Sequence, residues 1–389
     1  MRRCTTLLFL AGCGFSSAAG APGAADAPTG STDATAADAS QSATGSDAAP
    51  CVAGIVDLCG LPAPTVAFEV PATIALNTDG DGRCQTVKVG GRDVCLIYAS
   101  AVTIAAAATL TVTGARPLAL VSASTMAIDG AIDAGSHGTQ IGPAADDASC
   151  GFATSPDMDI GGGGGAAGGS FTQAGGNGGT GDSDHSLGGD DVGSPGTHGA
   201  TVAMPSLRGG CPGQKGGDEK PSGFVGGAGG HAGGALYLAA RASVSISASG
   251  SIRATGAGGA GGGSQAGGGG GGSGGMVVIE SAAMTISGKI SANGGGGGQG
   301  GGRTLASVDI SGNPGTDGAL DATPASGGSG AHSNDTDFSK GGAGGAGTTA
   351  AAAGTSSILG GGGGGGAAGA IRLIGTATLT GSTISPPAS

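Results

Sequence analysis

Glycine in uninterrupted runs is what most restricts this chain. Residues 161–165, 267–272 and 360–366 are glycine throughout, and 93 of the 389 positions are glycine. Each glycine costs about 1 kcal/mol relative to alanine inside a helix, so helix is disfavoured along most of the length. A conventional core is disfavoured as well. Tryptophan is absent, and only two tyrosines and seven phenylalanines are present, whereas aromatic and long aliphatic side chains supply most of the buried surface of an ordinary domain. A compact two-domain α/β enzyme does not fit this composition.

The apolar residues that remain are organised as a repeat. Four stretches align: Leu118 to Val121 with Met126, Ile128, Gly130 and Ile132; Leu236 and Leu238 with Val244, Ile246, Gly250 and Ile252; Val277 and Ile279 with Met284, Ile286, Gly288 and Ile290; and Ile371 and Leu373 with Leu379, Gly381 and Ile384. Val102, Ile104, Leu110, Val112 and Gly114 form a degenerate unit ahead of them. Each unit reads as three short strands with a glycine corner before the last. A single unit has too few apolar side chains to fold. Stacked units would align their Ile, Leu and Val rows into one interior, which is the logic of a solenoid. The expected fold is therefore all-β, a parallel β-helix or solenoid interrupted by long Gly-rich insertions over roughly 135–234, 256–275 and 294–369. Right-handed winding is the default for parallel crossovers. An antiparallel β-sandwich with Gly-rich loops is the competing architecture. Insertions this long are tolerable because closure entropy grows only logarithmically with length.

Upstream, residues 51–98 carry cysteines and β-rich segments at 65–70, 86–89 and 94–98, separated by Gly/Asp turns; they read as a cap on the solenoid. Residues 14–50 are mostly Ala, Ser, Gly, Asp and Thr with scattered Pro. They bury too little to offset their ordering entropy and read as a disordered tether.

The chain opens Met1-Arg2-Arg3 and continues through Leu7, Leu8, Phe9 and Leu10 to Ala11-Gly12-Cys13. A positive start, an apolar stretch and small residues before a cleavage point make a secretory signal. Leu10-Ala11-Gly12-Cys13 resembles the lipobox of bacterial lipoproteins. The resemblance implies cleavage before Cys13, acylation of that residue, and, with Gly14 rather than Asp following, passage to an outer membrane or the cell surface. Each buried methylene of an acyl chain is worth about 0.8 kcal/mol, so two or more chains anchor firmly. The expected divisions are thus a signal at 1–12, a tether at 13–50, the disulfide-bearing cap at 51–98 and the Gly-rich solenoid at 99–389.

With Cys4 in the leader and Cys13 acylated, Cys51, Cys59, Cys84, Cys95, Cys150 and Cys211 remain. An even number in an exported chain reads as disulfides. Proximity favours Cys51–Cys59, Cys84–Cys95 and Cys150–Cys211. Zinc is the rival reading, but no Cys-x-x-Cys is present and no His stands at ligand spacing. The glycine arrays, such as 175–181 (Gly-Gly-Asn-Gly-Gly-Thr-Gly), resemble those of PE-PGRS-type proteins, although that family's N-terminal Pro-Glu domain is missing. This resemblance implies a secreted, surface-displayed chain whose arrays either stack as extended polyglycine II helices or stay as flexible loop.

No candidate chemistry rises clearly from the sequence. Asn77, Asp79 and Asp81 place oxygen ligands at alternate positions before Gly82, as in the first half of a calcium loop, but Lys88 occupies the closing acidic position. An EF-hand is excluded, leaving a looser calcium site or a plain turn. Asp182, Asp184, Asp190 and Asp191 surround His185, yet Ser183 breaks the calcium β-roll pattern. Asp129 and Asp133 have Ser, Thr or Arg counterparts in later units, so no acidic ladder for polysaccharide cleavage results. His137, His185, His198, His231 and His332 lack a triad context. The glycine runs contain no Gly-Lys-Ser/Thr and are not phosphate loops. The net formal charge of −12, with no basic cluster, disfavours nucleic acid. The expected function is a non-enzymatic structural or adhesive lipoprotein of the cell envelope without a cofactor, touching the membrane through its lipid and matrix or cell surfaces through its body. A calcium-, ice- or carbohydrate-binding module is the main alternative, and a β-helix polysaccharide lyase or hydrolase a further one.

Overall fold

The computed structural model describes residues 54–58, 61–185, 191–202, 206–220, 223–303, 308–330 and 338–389. These lie in one compact unit, Pro50–Ser389. Cys13, Cys51 and Cys59 lie outside the described residues, as do the leader and tether, His332 and Asp190.

The described residues are all-β and contain no helix. The strands follow one another in rows. The first row holds β1 (Phe68–Val70) and β2 (Ile74–Asn77), after which β3 (Gln85–Val89) forms a hairpin with the strand that follows. The second holds β4 (Arg92–Ala99), β5 (Val102–Ile104) and β6 (Thr109–Thr113), and the third β7 (Leu118–Ser122), β8 (Thr125–Ile128) and β9 (Ala131–Asp133). In the later rows the first two strands fuse into one bent strand. These rows are β10 (Ala235–Ile246) with β11 (Ser251–Arg253), and β12 (Met276–Ile286) with β13 (Lys289–Ser291). A two-residue antiparallel pair, β14 (Gly302–Arg303) and β15 (Asp309–Ile310), lies in the last insertion, before β16 (Ala370–Leu379) and β17 (Thr383–Ser385).

Successive rows pair in parallel, giving a nine-stranded and a six-stranded sheet. The register follows the apolar alignment residue by residue. Leu236 stands opposite Leu118 and Val277, and Val277 opposite Ile371. Ile246 stands opposite Ile128 and Ile286, and Ile252 opposite Ile132 and Ile290. These rows of identical or similar side chains make one continuous buried cluster running from Phe68 to Ile371. Each fully buried Ile or Leu contributes about 1.5–3 kcal/mol, so the rows are the main source of stability for a chain with few aromatics. The segment read as a cap joins the same sheets across residue 98: β1 pairs with β5, β2 with β6, and β4 with β7.

The corner between the two sheets needs glycine for space. A Cβ on Gly130 would meet the carbonyl oxygens of Ala105 and Ala108 in the row beneath, closer than 3.0 Å. The corner inside the fused strands tightens toward the C-terminus. β12 loses one residue relative to β10, and β16 loses another relative to β12, leaving Gly375 at φ +120° to make the bend.

Candidate functional site: the glycine bundle

All three long insertions leave the stack at one place, after β9, β11 and β13, and return at β10, β12 and β16. The sheet ladders carry directly into them. Ala134, Ala254 and Ala292 donate their N–H groups to the carbonyls of Arg253, Ser291 and Ser385, while Met276 and Ala370 donate to Gly234 and Gly275. From these fixed ends the insertions run on as extended segments lying side by side.

Residues 267–275 show the arrangement. Gly267, Gly270 and Ser273 donate to Gly217, Gln214 and Cys211, a neighbour running the opposite way. Gly268, Gly271 and Gly274 donate to Gly361, Gly364 and Ala367, a parallel neighbour. Gly269, Gly272 and Gly275 donate to Ala260, Ala257 and Ala254, again antiparallel. Three further segments donate back: 227–233, 166–169 and 295–298. Every third residue faces the same neighbour, as three residues per turn in an extended left-handed helix require. One rod is thus held by six others. Residues 360–369 are surrounded in the same way, donating in turn to Gly301, Gly163, Thr355, Gly298, Ala166 and Ala352.

Such a helix has no internal hydrogen bonds, so its backbone must be satisfied from outside. The bundle does this laterally, at N···O distances of 2.7 to 3.0 Å for the nine donors and eight carbonyl acceptors of 267–275. Close approach is why the residue must be glycine. A Cβ on Gly271 would meet the Gly295 carbonyl, and one on Gly270 the Ala167 carbonyl, each closer than 3.0 Å. No glycine of 267–275 has positive φ, so backbone freedom is not the reason for its use there.

Among the described residues, ion pairs fasten this bundle to the strands at two places. Cys150 and Cys211, both in the first insertion, form a disulfide. Arg208, 5% exposed, lies against both sulfurs (3.1 and 3.3 Å), donates to Ser149 Oγ at 2.9 Å and stacks over Phe171. Asp147 joins Arg92 of β4 to this knot. Burial works to raise the Asp147 pKa, but hydrogen bonds from Arg92 and Ser149 prevail and bring it to about 2. A cleft of about 390 Å³ opens here, lined in part by Arg92, Asp93, Arg116, Pro117, Asp146 and Asp147. At the second place, His137 sits between two carboxylates. Its Nε2 is 3.2 Å from Asp133 at the end of β9, and its Nδ1 is 3.6 Å from Asp317 in the last insertion. The Asp133 hydrogen bond, then that of Asp317, raises the His137 pKa to about 9 despite burial. The imidazolium thereby ties the strand stack to the bundle.

The residues singled out from sequence are placed as follows. Cys84–Cys95 forms a disulfide across the β3–β4 hairpin. Asn77, Asp79 and Asp81 share one turn, but neighbouring groups engage their oxygens. Asn77 Oδ1 accepts the Asp79 N–H at 2.9 Å, and Asp79 accepts the Ala115 N–H at 2.8 Å and faces Arg116. Asp81 accepts the Arg83 Nε–H at 2.8 Å, a hydrogen bond that lowers its pKa. Asp182 is buried, while Asp184 and Asp191 are exposed. His231 Nδ1 lies 2.5 Å from Asp146, and His198 Nδ1 lies 3.0 Å from the carbonyl of Gly199. Among the described residues, no group of three or more His, Cys, Asp or Glu side chains is arranged to hold a metal ion. The contacts missed from sequence are Arg208 on the disulfide and Asp317 on His137; Asp133 and His137, four residues apart, were the only legible half of the latter. No helix of the described residues is long and apolar enough to cross a membrane. No protein-family model, no curated protein and no solved structure matches this chain.

Proposed function

We propose that this chain is a non-enzymatic structural or adhesive lipoprotein of the cell surface, held by acyl groups on Cys13. Its strands wind as a parallel β-solenoid, and its glycine bundle is the stiff body displayed outward. The observation that carries this reading is the complete lateral bonding of residues 267–275, in which nine consecutive N–H groups each find a partner on a neighbouring rod. A segment so bonded is a rigid element rather than a loose loop. It offers no nucleophile, acid–base pair or phosphate cradle, and its material is backbone. Rigid and chemically plain, in a chain of net formal charge −12, it suits contact with matrix, other cells or its own kind. The leader, the lipobox resemblance and the use of glycine for close approach, not for turns, along 267–275 support the same reading.

Two measurements test it. A Cys13→Ser chain is expected to lose palmitate label and leave the membrane fraction; retention of both overturns the anchor. Deleting 135–234, which removes several rods, is expected to abolish retention on matrix or cell surfaces. Unchanged retention would remove the bundle from the working surface.

A further inference from the structure

The disulfides Cys84–Cys95 and Cys150–Cys211 are alike in exposure and unlike in what surrounds the buried sulfur. In each, one partner is partly buried, Cys84 or Cys150, and the other is buried, Cys95 or Cys211. Cys95 lies in the apolar core, opposite Leu118 in the sheet. Arg83, beside Cys84, is taken up by Asp81 and lies over the Phe68 ring. A thiolate released at Cys95 would stand among hydrocarbon side chains, which disfavour its charge.

Cys211 is buried against a cation instead. Arg208 Nη2 stands 3.1 Å from Cys150 Sγ and 3.3 Å from Cys211 Sγ. Its other nitrogens donate to Ser149 Oγ and to the Gly209 carbonyl, which fixes the guanidinium in place. The charges that act on it are those of Asp147 and Arg92, and Asp147 is paired with both arginines. Two guanidinium groups against one carboxylate leave a positive charge unbalanced, and Arg208 is buried. A buried charge is costly until it is paired. A thiolate at Cys211 supplies the missing anion, with a charge-assisted N–H···S bond already aimed at it. Nor does the rod have to move to form it. The Cys211 N–H donates to Ser273 Oγ, and its carbonyl accepts the Ser273 N–H.

We propose that Cys150–Cys211 is a thiol-exchange site, at which a small external thiol is captured as a mixed disulfide on Cys150. The incoming thiol loses its proton to solvent, and its sulfur electron pair forms the new bond to Cys150 Sγ. The pair of the broken Sγ–Sγ bond leaves on Cys211, as a thiolate beside Arg208. One disulfide replaces another, so no oxidant or reductant other than the thiol takes part. Attack falls on Cys150 because it is the more exposed partner, on a segment where Ala148, Ser149 and Gly151 are all exposed. Cys211 is the better leaving group because a thiolate stabilised in place departs faster. The event is stoichiometric and leaves the glycine rods bonded, in keeping with a body that is not an enzyme.

The test exposes the folded full chain to reduced glutathione, quenches with acid at timed intervals, caps free thiols and maps each cysteine by peptide mass. Wild type, Arg208→Met and Arg208→Lys are compared. In wild type the first product should carry glutathione on Cys150 and a free thiol on Cys211, and Cys150–Cys211 should open about tenfold or more faster than Cys84–Cys95. Arg208→Met should slow that opening by a similar factor, and Arg208→Lys should keep most of the rate. A purely structural arginine gives the opposite sign, because loosening the knot exposes the sulfurs and speeds attack. Cys84–Cys95 opening first or at the same rate overturns the proposal, as does glutathione on Cys211 in place of Cys150. An Arg208→Met chain that exchanges as fast as wild type, or faster, overturns it too. Should Arg208→Met fail to fold, the two disulfides of the wild-type chain still decide the matter.

Discussion

Replacing Gly271 by alanine puts one methyl group where another rod's backbone already stands. The new Cβ would lie closer than 3.0 Å to the carbonyl oxygen and carbon of Gly295 and to the oxygen of Gly296. No flexible side chain is there to give way, so the rods must separate. Overfilling a packed interior costs about 1–3 kcal/mol. Separation also strains the bonds that hold 295–298 to this rod, Gly295 to Gly272 and Gly298 to Gly269, each worth about 1 kcal/mol. Against this, alanine restricts the unfolded chain and returns about 0.4–1 kcal/mol. The balance is a loss of about 2–4 kcal/mol, a large share of the 5–15 kcal/mol that stabilises a typical domain. At about 2 °C for each kcal/mol, melting should fall by about 4–8 °C. Gly82→Ala is the comparison: a Cβ there meets nothing within 4 Å and φ is not in the left-handed region, so melting should hold or rise slightly. Scanning calorimetry reads both, and amide exchange should show 267–275 losing protection in Gly271→Ala alone. Equal melting of the two variants would refute the claim that glycine serves close approach in the bundle.

Two other expectations follow from the clasps. Opening Cys150–Cys211, whose partners are 61 residues apart, should cost roughly 4 kcal/mol against roughly 3 for Cys84–Cys95 at 11; urea midpoints of the two Cys→Ser pairs check the order, and the reverse order would count against chain entropy as the cause. The His137 pKa rises from 6.5 to about 9 on folding, so its contribution is complete below pH 6.5 and is lost as pH climbs through 9; His137→Gln should flatten that decline in melting temperature, and an unchanged profile would assign it to other groups.

The strand rows were legible because their side chains carry the information. Leu, Ile and Val recur with a glycine corner at fixed offset, and the register pairs Leu118 with Leu236 and Ile132 with Ile252 as the alignment does. The cysteine pairs at 84–95 and 150–211 were legible from proximity. The bundle was not. A Gly-Gly array has no side chain to mark which neighbour it meets, so nothing local states that 268–274 lies along 361–367 and 267–273 along 211–217. The same holds for His137. Asp133 lies four residues away, but Asp317 comes from an insertion 180 residues on, and only the folded bundle brings it within 3.6 Å.

The strands and the bundle are one construction, and the sheet sets the terms for the rods. Neighbouring strands lie about 4.7–4.9 Å apart. In a sheet that spacing is tolerable for any residue, because neighbours occupy two sides and side chains project above and below. Ala254 and Gly275 inherit the spacing at the roots of the bundle, where the β11–β13 ladder continues into the bond from Ala254 to Ser291, the β12–β16 ladder into that from Ala370 to Gly275, and Gly275 bonds Ala254. Beyond the roots, rods stand on six sides of 267–272, and each direction there is taken by a neighbouring backbone. Only the outermost rods escape, and there the sequence changes. Asn313, Pro314 and Thr316 are exposed, while Gly312 and Gly315 between them bond Gly262 and Gly259 inward. Pro314 has no N–H to offer outward, so it removes a donor that would otherwise recruit one more rod. Composition therefore follows depth along these two rods: unbroken glycine at 267–272 in the middle, and glycine at every third position of 312–318 on the skin.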